Sequence, residues 1–313
     1  MKNIYIFVVA PFLFFSCKNE EVNAPTFELK QQIEAITLLG DTLRSPSLED
    51  NQAYKNYQNA KIAFENAPKN ADSIIWFGRR TAYLGYFKDA IDIYSYGNEL
   101  YPEDARFLRH RGHRYISIRQ YDKAISDFEK AVQLIKGKKD MIEPDGLPNA
   151  RNLPLSTLHG NIYYHLGLAY YLKGDMTNAL KAYSNRTVTE KYPDNLVSGG
   201  YWQYMIQRRL GNDEKAKEVI ENIDPEMDII ENMSYHTMCL FFKNELDDLK
   251  IETIGTSSSD VLSYGLGNWY LFEQQDSLKA QALYGRLLRE GNPYSFAYLA
   301  AESDWNRLFA END

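Results

Sequence analysis

The chain has 313 residues and a net charge of −8, with 44% hydrophobic and 14% aromatic residues. This apolar content is too high for a disordered chain, and the length allows either two compact domains or one elongated repeat domain. The acidic balance argues against nucleic acid as a partner, because a surface that binds nucleic acid needs positive charge to neutralise phosphates.

The N-terminus has the features of an export signal. A single lysine precedes an apolar run of twelve residues, Ile4–Phe15, which ends at Ser16–Cys17. This run is about eight residues too short to span a bilayer. A small residue followed by cysteine resembles a bacterial lipoprotein signal, which implies that 1–16 are removed, that Cys17 is acylated and that 17–25 form a linker. A plain secretory signal with an incidental cysteine is the alternative.

The lipoprotein signal also predicts where the protein is located. No later apolar run reaches membrane-spanning length, so the lipid on Cys17 would be the membrane anchor. The next residues are KNEEV, which resemble the acidic export signal of some Bacteroidota surface lipoproteins. We therefore expect an outer membrane lipoprotein, at the periplasmic face or the cell surface. The other cysteine, Cys239, lies in an apolar stretch and is expected to be an inert core thiol.

The middle of the chain repeats with a period of 34 residues. Three pairs of similar residues have this separation, namely Gly78 and Gly112, Ala90 and Ala124, and Tyr94 and Phe128. After an insertion of 21 residues, a third copy contains Gly167, Ala179 and Tyr183. The small residues let the two helices of a repeat cross closely, and the aromatic side chain fills the space beside them. This pattern resembles the tetratricopeptide repeat, which stacks helix pairs into a solenoid.

The resemblance implies an all-α fold, a right-handed superhelix of about five to six helix pairs with one long ordered insertion. No strand-type alternation of any length is visible. The solenoid is expected over 26–313, with the insertion at 138–158. The clear repeats cover 71–104, 105–138 and 160–195, and the weaker repeats cover 26–70, 196–228 and 257–293.

Residues 105–118, the first helix of the second clear repeat, hold an unusual concentration of basic side chains. The first helix of each tetratricopeptide repeat lines the concave groove, and residues three or four apart share one helix face. We therefore predict a basic band in the groove. Its members are Arg106, Arg109, His110 and His113, with Arg79 from the preceding repeat and Asn161, Tyr164 and His165 from the next.

Two further arginines, Arg111 and Arg114, are predicted to point away from the groove. A buried guanidinium needs a partner, and the insertion offers the carboxylates of Glu143 and Asp145. The prolines of the insertion and its Asp145–Gly146 turn indicate an ordered loop. We therefore expect these arginines to anchor the insertion on the solenoid, together with the insertion's own Asn149, Arg151, Asn152 and His159.

Three interpretations of the basic band remain open at this stage. The arginines and histidines could only anchor the insertion, or they could bind an acidic peptide or small anion, since the planar guanidinium suits carboxylates. The third interpretation is a metal or catalytic site made from His110, His113, His159 or His165 with Glu143 or Asp145. No metal-ligand motif supports the third interpretation, so neither a metal nor a cofactor is expected.

Three segments, RHRGHRYIS, EPDGLPNARN and YHLGLAYYLKGD, resemble an uncharacterised family of bacterial tetratricopeptide-repeat proteins over about 70–245. The resemblance implies the fold but no activity. Peptide-binding relatives hold a terminal carboxylate with lysine and asparagine at set positions. Those positions are occupied here by Ile75, Arg79, His110, Asn161 and His165, so that clamp is not expected.

These observations favour an envelope-anchored, non-enzymatic binding or scaffold module. Its partner would be a protein, a peptide or a small anionic ligand. One alternative is a hydrolase or metal-dependent enzyme built on the histidine, arginine and glutamate cluster. Another is a SusD-like nutrient-binding lipoprotein, although SusD-like chains are considerably longer.

Overall fold

The computed structural model describes residues 25–186, 193–246 and 259–310. The predicted signal and the acylation site at Cys17 lie outside the described residues. Within those ranges the chain forms thirteen α-helices and one β-hairpin. The all-α repeat fold predicted from the 34-residue period is therefore confirmed.

The start of the described chain differs from the helix pair expected over 26–70. Strand β1 (Ile33–Ile36) pairs antiparallel with strand β2 (Thr42–Arg44). Glu34 of β1 is buried, and its carboxylate accepts a hydrogen bond from the backbone N–H of Lys88 (2.9 Å), in the first turn of a later helix. A carboxylate at a helix N-terminus interacts favourably with the helix dipole. The hairpin thus packs where a first helix was expected, and this region contributes one helix only.

The helices follow one another as antiparallel pairs joined mostly by short loops. Their bounds are α1 (Gln52–Asn66), α2 (Ala71–Tyr83), α3 (Phe87–Leu100), α4 (Ala105–Ser117), α5 (Tyr121–Ile135), α6 (Leu158–Lys173), α7 (Met176–Ser184), α8 (Pro193–Arg209), α9 (Asp213–Glu218), α10 (Met233–Phe242), α11 (Asp260–Phe272), α12 (Ser277–Glu290) and α13 (Phe296–Leu308). The pairs α2/α3, α4/α5 and α6/α7 are the clear repeats. Cys239 of α10 is a buried free thiol, and burial raises its pKa.

Glycine and an aromatic ring face each other within every clear repeat. The pairs are Gly78 with Tyr94, Gly112 with Phe128, and Gly167 with Tyr183. A Cβ added to these glycines would lie 2.5 to 2.8 Å from the facing ring, which is closer than atoms can pack. The same contact joins Gly267 of α11 to Tyr284 of α12. The close crossing of the two helices in a repeat therefore requires glycine in the first helix.

The last helix, α13, packs back onto earlier parts of the chain. Its Glu302 forms a buried ion pair with Arg119 (3.0 Å) and accepts a hydrogen bond from the backbone N–H of Leu38 (2.6 Å), between β1 and β2. Asp304 pairs with Arg209 of α8. The first and last elements of the described chain are thus in contact. Among the described helices, none has the length and apolar character needed to cross a membrane.

Candidate functional site

The insertion over 138–158 is an ordered loop that begins and ends in a short backbone pairing. The backbone N–H of Glu143 donates to the carbonyl of Ser156 (3.0 Å), and the N–H of Leu158 donates to the carbonyl of Met141 (2.9 Å). This pairing brings the two ends of the loop together at the start of α6. It also directs the side chain of Glu143 toward α4.

Three contacts hold the outer part of the insertion. Arg80 of α2 donates a hydrogen bond to the carbonyl of Gly146 (2.8 Å). Gly146 packs so closely on Tyr83 that an added Cβ would lie 1.8 Å from the tyrosine hydroxyl. Arg151 forms two hydrogen bonds of 2.6 Å with Asp228, in the segment between α9 and α10. The insertion is therefore attached to the solenoid at points other than Glu143.

Other polar residues of the insertion determine its own conformation. The side chain of Asn149 accepts a hydrogen bond from the backbone N–H of Arg151 (3.0 Å). Asn152 has a φ of 51°, in the left-handed region that asparagine tolerates better than most residues. The backbone N–H of His159 donates to the carboxylate of Asp140 (3.0 Å). Asn149, Asn152 and His159 thus shape the loop and its junction with α6.

Three buried arginines lie beside Glu143, and we call them the arginine cluster. They are Arg79 of α2 and Arg109 and Arg114 of α4, which are 7%, 8% and 9% exposed. Glu143 Oε2 is 2.9 Å from Arg109 Nε. In the part of the chain that the structure describes, no other carboxylate pairs with a member of the cluster. Together with Glu143, the three arginines line a cavity of about 90 Å³, which we call the small cavity.

Arg79 and Arg114 have no ion-pair partner among the described residues. Arg79 lies over the ring of Trp76 (4.5 Å) and is within 3.3 Å of the Tyr83 hydroxyl. Arg114 lies over the ring of Phe87 (5.4 Å). Burial lowers the pKa of Arg114 to about 10, because desolvation disfavours its charged form. Aromatic rings stabilise these cations in part, but they supply no counter-charge.

A second space, which we call the larger cavity, adjoins the small cavity and has a volume of about 240 Å³. The two cavities share Arg79, His110 and Glu143. The apolar side chains that line the larger cavity are Ile75, Trp76, Met141, Ile142, Pro144 and Leu158. Arg106, which was predicted to be a groove residue, also lines it, but its charge is already paired with Asp104 and Asp72, each at 2.6 Å.

The structure reverses the roles predicted for Arg109 and Arg111. Arg109, expected to be free in the groove, is the arginine that pairs with the insertion through Glu143. Arg111, expected to anchor the insertion, forms two hydrogen bonds of 2.7 and 2.8 Å with Asp127 of α5. The side of α4 that carries Arg111 faces its own repeat partner, so the carboxylate comes from α5. Arg114 is buried as predicted, but no carboxylate of the insertion pairs with it.

Asp145, the second carboxylate expected to anchor the insertion, is only partly buried. Burial raises its pKa, and the positive charge of Arg79 opposes that shift. The distance between the two groups exceeds that of an ion pair. Asp145 therefore contributes electrostatically to the cluster without neutralising Arg79.

Three histidines, His110, His113 and His165, come together next to the arginine cluster. Nδ1 of His110 accepts a hydrogen bond from the Arg109 guanidinium (3.3 Å), and Nδ1 of His165 donates to the carbonyl of Asn161 (2.7 Å). Burial, reinforced by the nearby arginine charges, lowers the pKa of all three well below the usual value. They are therefore neutral near pH 7 and add hydrogen-bonding groups, not positive charge.

The C-terminal helix closes the groove beside these histidines. The ring of Phe296, in α13, lies 5.4 Å from His113 and 5.5 Å from His165. Tyr164, predicted to line the groove, is buried, and its hydroxyl accepts a hydrogen bond from the indole of Trp202 (2.9 Å). No sequence signal pointed to Phe296, because α13 follows the last repeat recognised in the pattern. The chain itself fills this part of the groove.

The described ranges contain no group of three or more His, Cys, Asp or Glu side chains arranged to hold a metal ion. His159 is one of the histidines considered for a metal site, and its ring lies 3.9 Å from the carboxylate of Asp140. The arrangement that is present consists of guanidinium donors around a small cavity, and such donors suit a carboxylate or another anion.

Stacked helix pairs, each with a glycine of the first helix facing an aromatic ring of the second, define a helical repeat solenoid. Residues 105–137 and 160–184 match the family model of the tetratricopeptide repeat. These two ranges are similar to the tetratricopeptide repeat and coincide with the second and third clear repeats of the solenoid. No curated protein matches its sequence.

Several solved structures resemble the chain. The APC/C hetero-tetramer Cut9–Hcn1 is 12% identical with a TM-score of 0.50, and the match covers 80% of this chain and 46% of that one. This likeness shows the fold. A tetratricopeptide repeat protein from Parabacteroides merdae ATCC 43184 is 13% identical with a TM-score of 0.47, covering 79% of this chain and 92% of that one. YrrB, described as a TPR protein with an unusual peptide-binding site, is 16% identical with a TM-score of 0.43. The match covers 78% of this chain and 98% of that one.

Proposed function

We propose that the protein is a non-enzymatic interaction module that binds an acidic group, on a peptide or a small anion, at the arginine cluster. The observation that carries this proposal is the charge imbalance of three buried guanidinium groups beside one buried carboxylate. A buried charge without a partner is strongly unfavourable. An anion in the small cavity would supply the counter-charge that Arg79 and Arg114 lack.

The larger cavity supports a ligand with an apolar part. Its wall includes Trp76 and Leu158, next to the shared residues Arg79 and His110. Binding sites commonly combine an apolar lining with a few polar groups that fix orientation. An acidic side chain in the small cavity would place an apolar neighbour against Trp76.

An acidic probe tests this function directly. The probe is a hexaglutamate peptide, amidated at its C-terminus, labelled with an uncharged dye and measured by anisotropy, with inorganic phosphate titrated as a competitor. Arg114→Met is expected to weaken binding by at least about tenfold, because truncating one member of a buried charge pair has effects of this size or larger. The peptide has no terminal carboxylate, so binding reports on side-chain carboxylates.

A matched variant controls for net charge. Arg289→Met removes the same charge from an exposed position in α12 and is expected to leave the affinity within about twofold, since exposed charges are screened by salt. Equal affinities of wild type and Arg114→Met would contradict the site. If neither the wild type nor Glu143→Gln, which removes the carboxylate already paired with the cluster, binds hexaglutamate or phosphate, the proposed function is wrong.

We further propose that a lipid on Cys17 holds this module at the outer membrane. The support is the sequence of residues 1–17, an apolar run of export length followed by a small residue and cysteine. The wild type is expected to partition into the detergent phase and Cys17→Ala into the aqueous phase. Aqueous partitioning of the wild type would contradict the anchor.

A further inference from the structure

The stretch Met141–Glu143 exposes its apolar residues and buries its charged one. Met141 and Ile142 are 51% and 62% exposed, whereas Glu143 is 8% exposed. Burying a carboxylate is unfavourable unless it is paired, and exposing two large apolar side chains brings no compensating gain. The conformation of this stretch therefore depends on the attraction between Glu143 and the arginine cluster.

The ion pair that holds Glu143 is poorly aligned. Glu143 Oε2 is 2.9 Å from Arg109 Nε, yet neither of these buried atoms has a hydrogen-bond partner, and Oε1 is 4.0 Å from His110 Nε2. On the same helix, Arg111 binds Asp127 through two aligned hydrogen bonds. Bidentate pairing is the stronger arrangement. A ligand carboxylate that can orient freely is therefore able to bind Arg109 better than Glu143 does.

The outer contacts of the insertion do not involve Glu143. Arg80 holds Gly146, and Arg151 is paired with Asp228. If Glu143 left the arginine cluster, these contacts would keep it nearby. A group tethered in this way competes with a free ligand at an effective concentration on the order of millimolar.

We propose that Glu143 is an intramolecular competitor for the ligand, and this inference rests on the proposed function. One carboxylate of the ligand replaces Glu143 at Arg109 and a second faces Arg79 and Arg114, so the ligand adds the counter-charge that Glu143 alone does not supply, and the base of the insertion moves away from α4. The apparent affinity for the ligand is therefore the intrinsic affinity multiplied by the fraction of molecules in which Glu143 has left the arginine cluster. The sequence of the insertion itself indicates the ligand class. It is an extended peptide segment with an acidic residue between apolar neighbours, as in MIEP at 141–144.

The competing group can be neutralised without changing its shape. The probe is the labelled heptapeptide DMIEPDG, blocked at both ends, and its counterpart with glutamine in place of glutamate. Glu143→Gln is expected to bind the first peptide about tenfold more tightly than the wild type does. Asp145→Asn, which removes a nearby but less buried charge, is the matched control and is expected to gain no more than about twofold. The glutamine peptide is expected to bind weakly to every variant.

A second variant displaces the insertion while leaving all charges in place. The Cβ of Gly146→Ala would clash with the Tyr83 hydroxyl, so either the loop or the tyrosine must shift. A shift of the loop loosens the hold on Glu143, and tighter binding is expected here too. This variant carries the test if Glu143→Gln does not fold. In the wild type, saturating heptapeptide is expected to speed hydrogen exchange at the backbone amides of Glu143 and Leu158, which pair at the base of the insertion.

The outcomes separate this inference from the function on which it rests. If the wild type binds the peptide but neither Glu143→Gln nor Gly146→Ala binds it more tightly, Glu143 is only an anchor of the insertion. The proposal that it competes with the ligand is then wrong. Unchanged or slower exchange at the two amides also overturns it. If the wild type and both variants bind none of the acidic probes, the proposed function itself fails.

Discussion

Arg111 and Arg114 lie about one turn apart on α4, yet the protein compensates their charges in different ways. Arg111 is fixed by Asp127, whereas Arg114 lies over the face of Phe87 and has no ion-pair partner among the residues that the structure describes. Arg111→Met is expected to lower the free energy of unfolding by about 3 kcal/mol, because it leaves a buried carboxylate unpaired. Arg114→Met is expected to leave that free energy unchanged or to raise it by about 1 kcal/mol, because it removes an uncompensated buried charge.

Urea unfolding of both variants at pH 7 checks this pair of expectations. Arg289→Met, with its exposed side chain, is again the control for net charge. A larger loss of stability for Arg114→Met than for Arg111→Met would show that Arg114 has a counter-ion in the folded protein.

The three buried histidines make stability depend on pH. The folded state keeps His110, His113 and His165 neutral, with pKa values well below the usual value, whereas the unfolded state protonates them near pH 6.5. The unfolded state then binds more protons, so the free energy of unfolding falls as the pH drops below about 6.5. Each histidine contributes up to about 1.4 kcal/mol per pH unit.

The variant His113→Phe isolates this contribution. Phenylalanine can keep the ring contacts with His165 and Phe296 but cannot take up a proton. Urea unfolding at pH 7.5, 6.5 and 5.5 is expected to show that the free energy of unfolding falls less steeply with decreasing pH in this variant. The difference in slope should correspond to roughly one bound proton. Equal slopes for the two proteins would mean that His113 is protonated in the folded state as well.

At the scale of helix pairs, the contact between glycine and an aromatic ring determines how closely two helices approach. Gly112→Ala places a Cβ 2.8 Å from the ring of Phe128 and is expected to lower the free energy of unfolding by about 1–3 kcal/mol through overpacking. Phe128→Leu alone is also expected to destabilise. Combined with Gly112→Ala, however, it removes the clash, so the double variant should lose less than the sum of the two. Simple additivity in urea unfolding would mean that the two residues are not in contact.

The same contact explains why the repeats could be predicted from sequence. Gly78 and Tyr94 are 16 residues apart, as are Gly112 and Phe128, so one supersecondary unit contains the whole interaction. The β-hairpin could not be predicted in this way. Its buried Glu34 caps a helix that begins more than fifty residues later, and no local period records such a contact.

The candidate site could also be predicted only in part, because its contacts join segments that are distant in the sequence. The sequence predicted that the basic residues of α4 and the carboxylates of the insertion would meet, and Arg109 and Glu143 do meet. It did not predict which arginine would be paired, because Arg109 and Arg111 lie on nearly opposite faces of α4 and no local pattern records which face the insertion covers. Phe296 was missed because helix α13 reaches the groove only through tertiary packing.

For the whole molecule, the contact between the first and last described elements changes how a repeat protein is expected to unfold. In a linear array each repeat contacts only its neighbours, and stability spreads along the chain. Here Glu302 of α13 binds both Arg119, at the α4/α5 junction, and the hairpin backbone at Leu38. This contact couples the first and last elements, so we expect the wild type to unfold in a single cooperative transition.

Glu302→Gln tests that coupling. The substitution keeps the size of the side chain but leaves Arg119 buried without a counter-charge, so the free energy of unfolding is expected to fall by about 3 kcal/mol. The urea transition should also broaden, and the hairpin amides should lose protection from hydrogen exchange, because the hairpin can then open without unfolding the rest. Glu290→Gln, at the exposed end of α12, removes the same charge and should change neither property. If Glu302→Gln retains the wild-type slope and hairpin protection, the two ends of the chain are stabilised independently, and the solenoid unfolds as an open array.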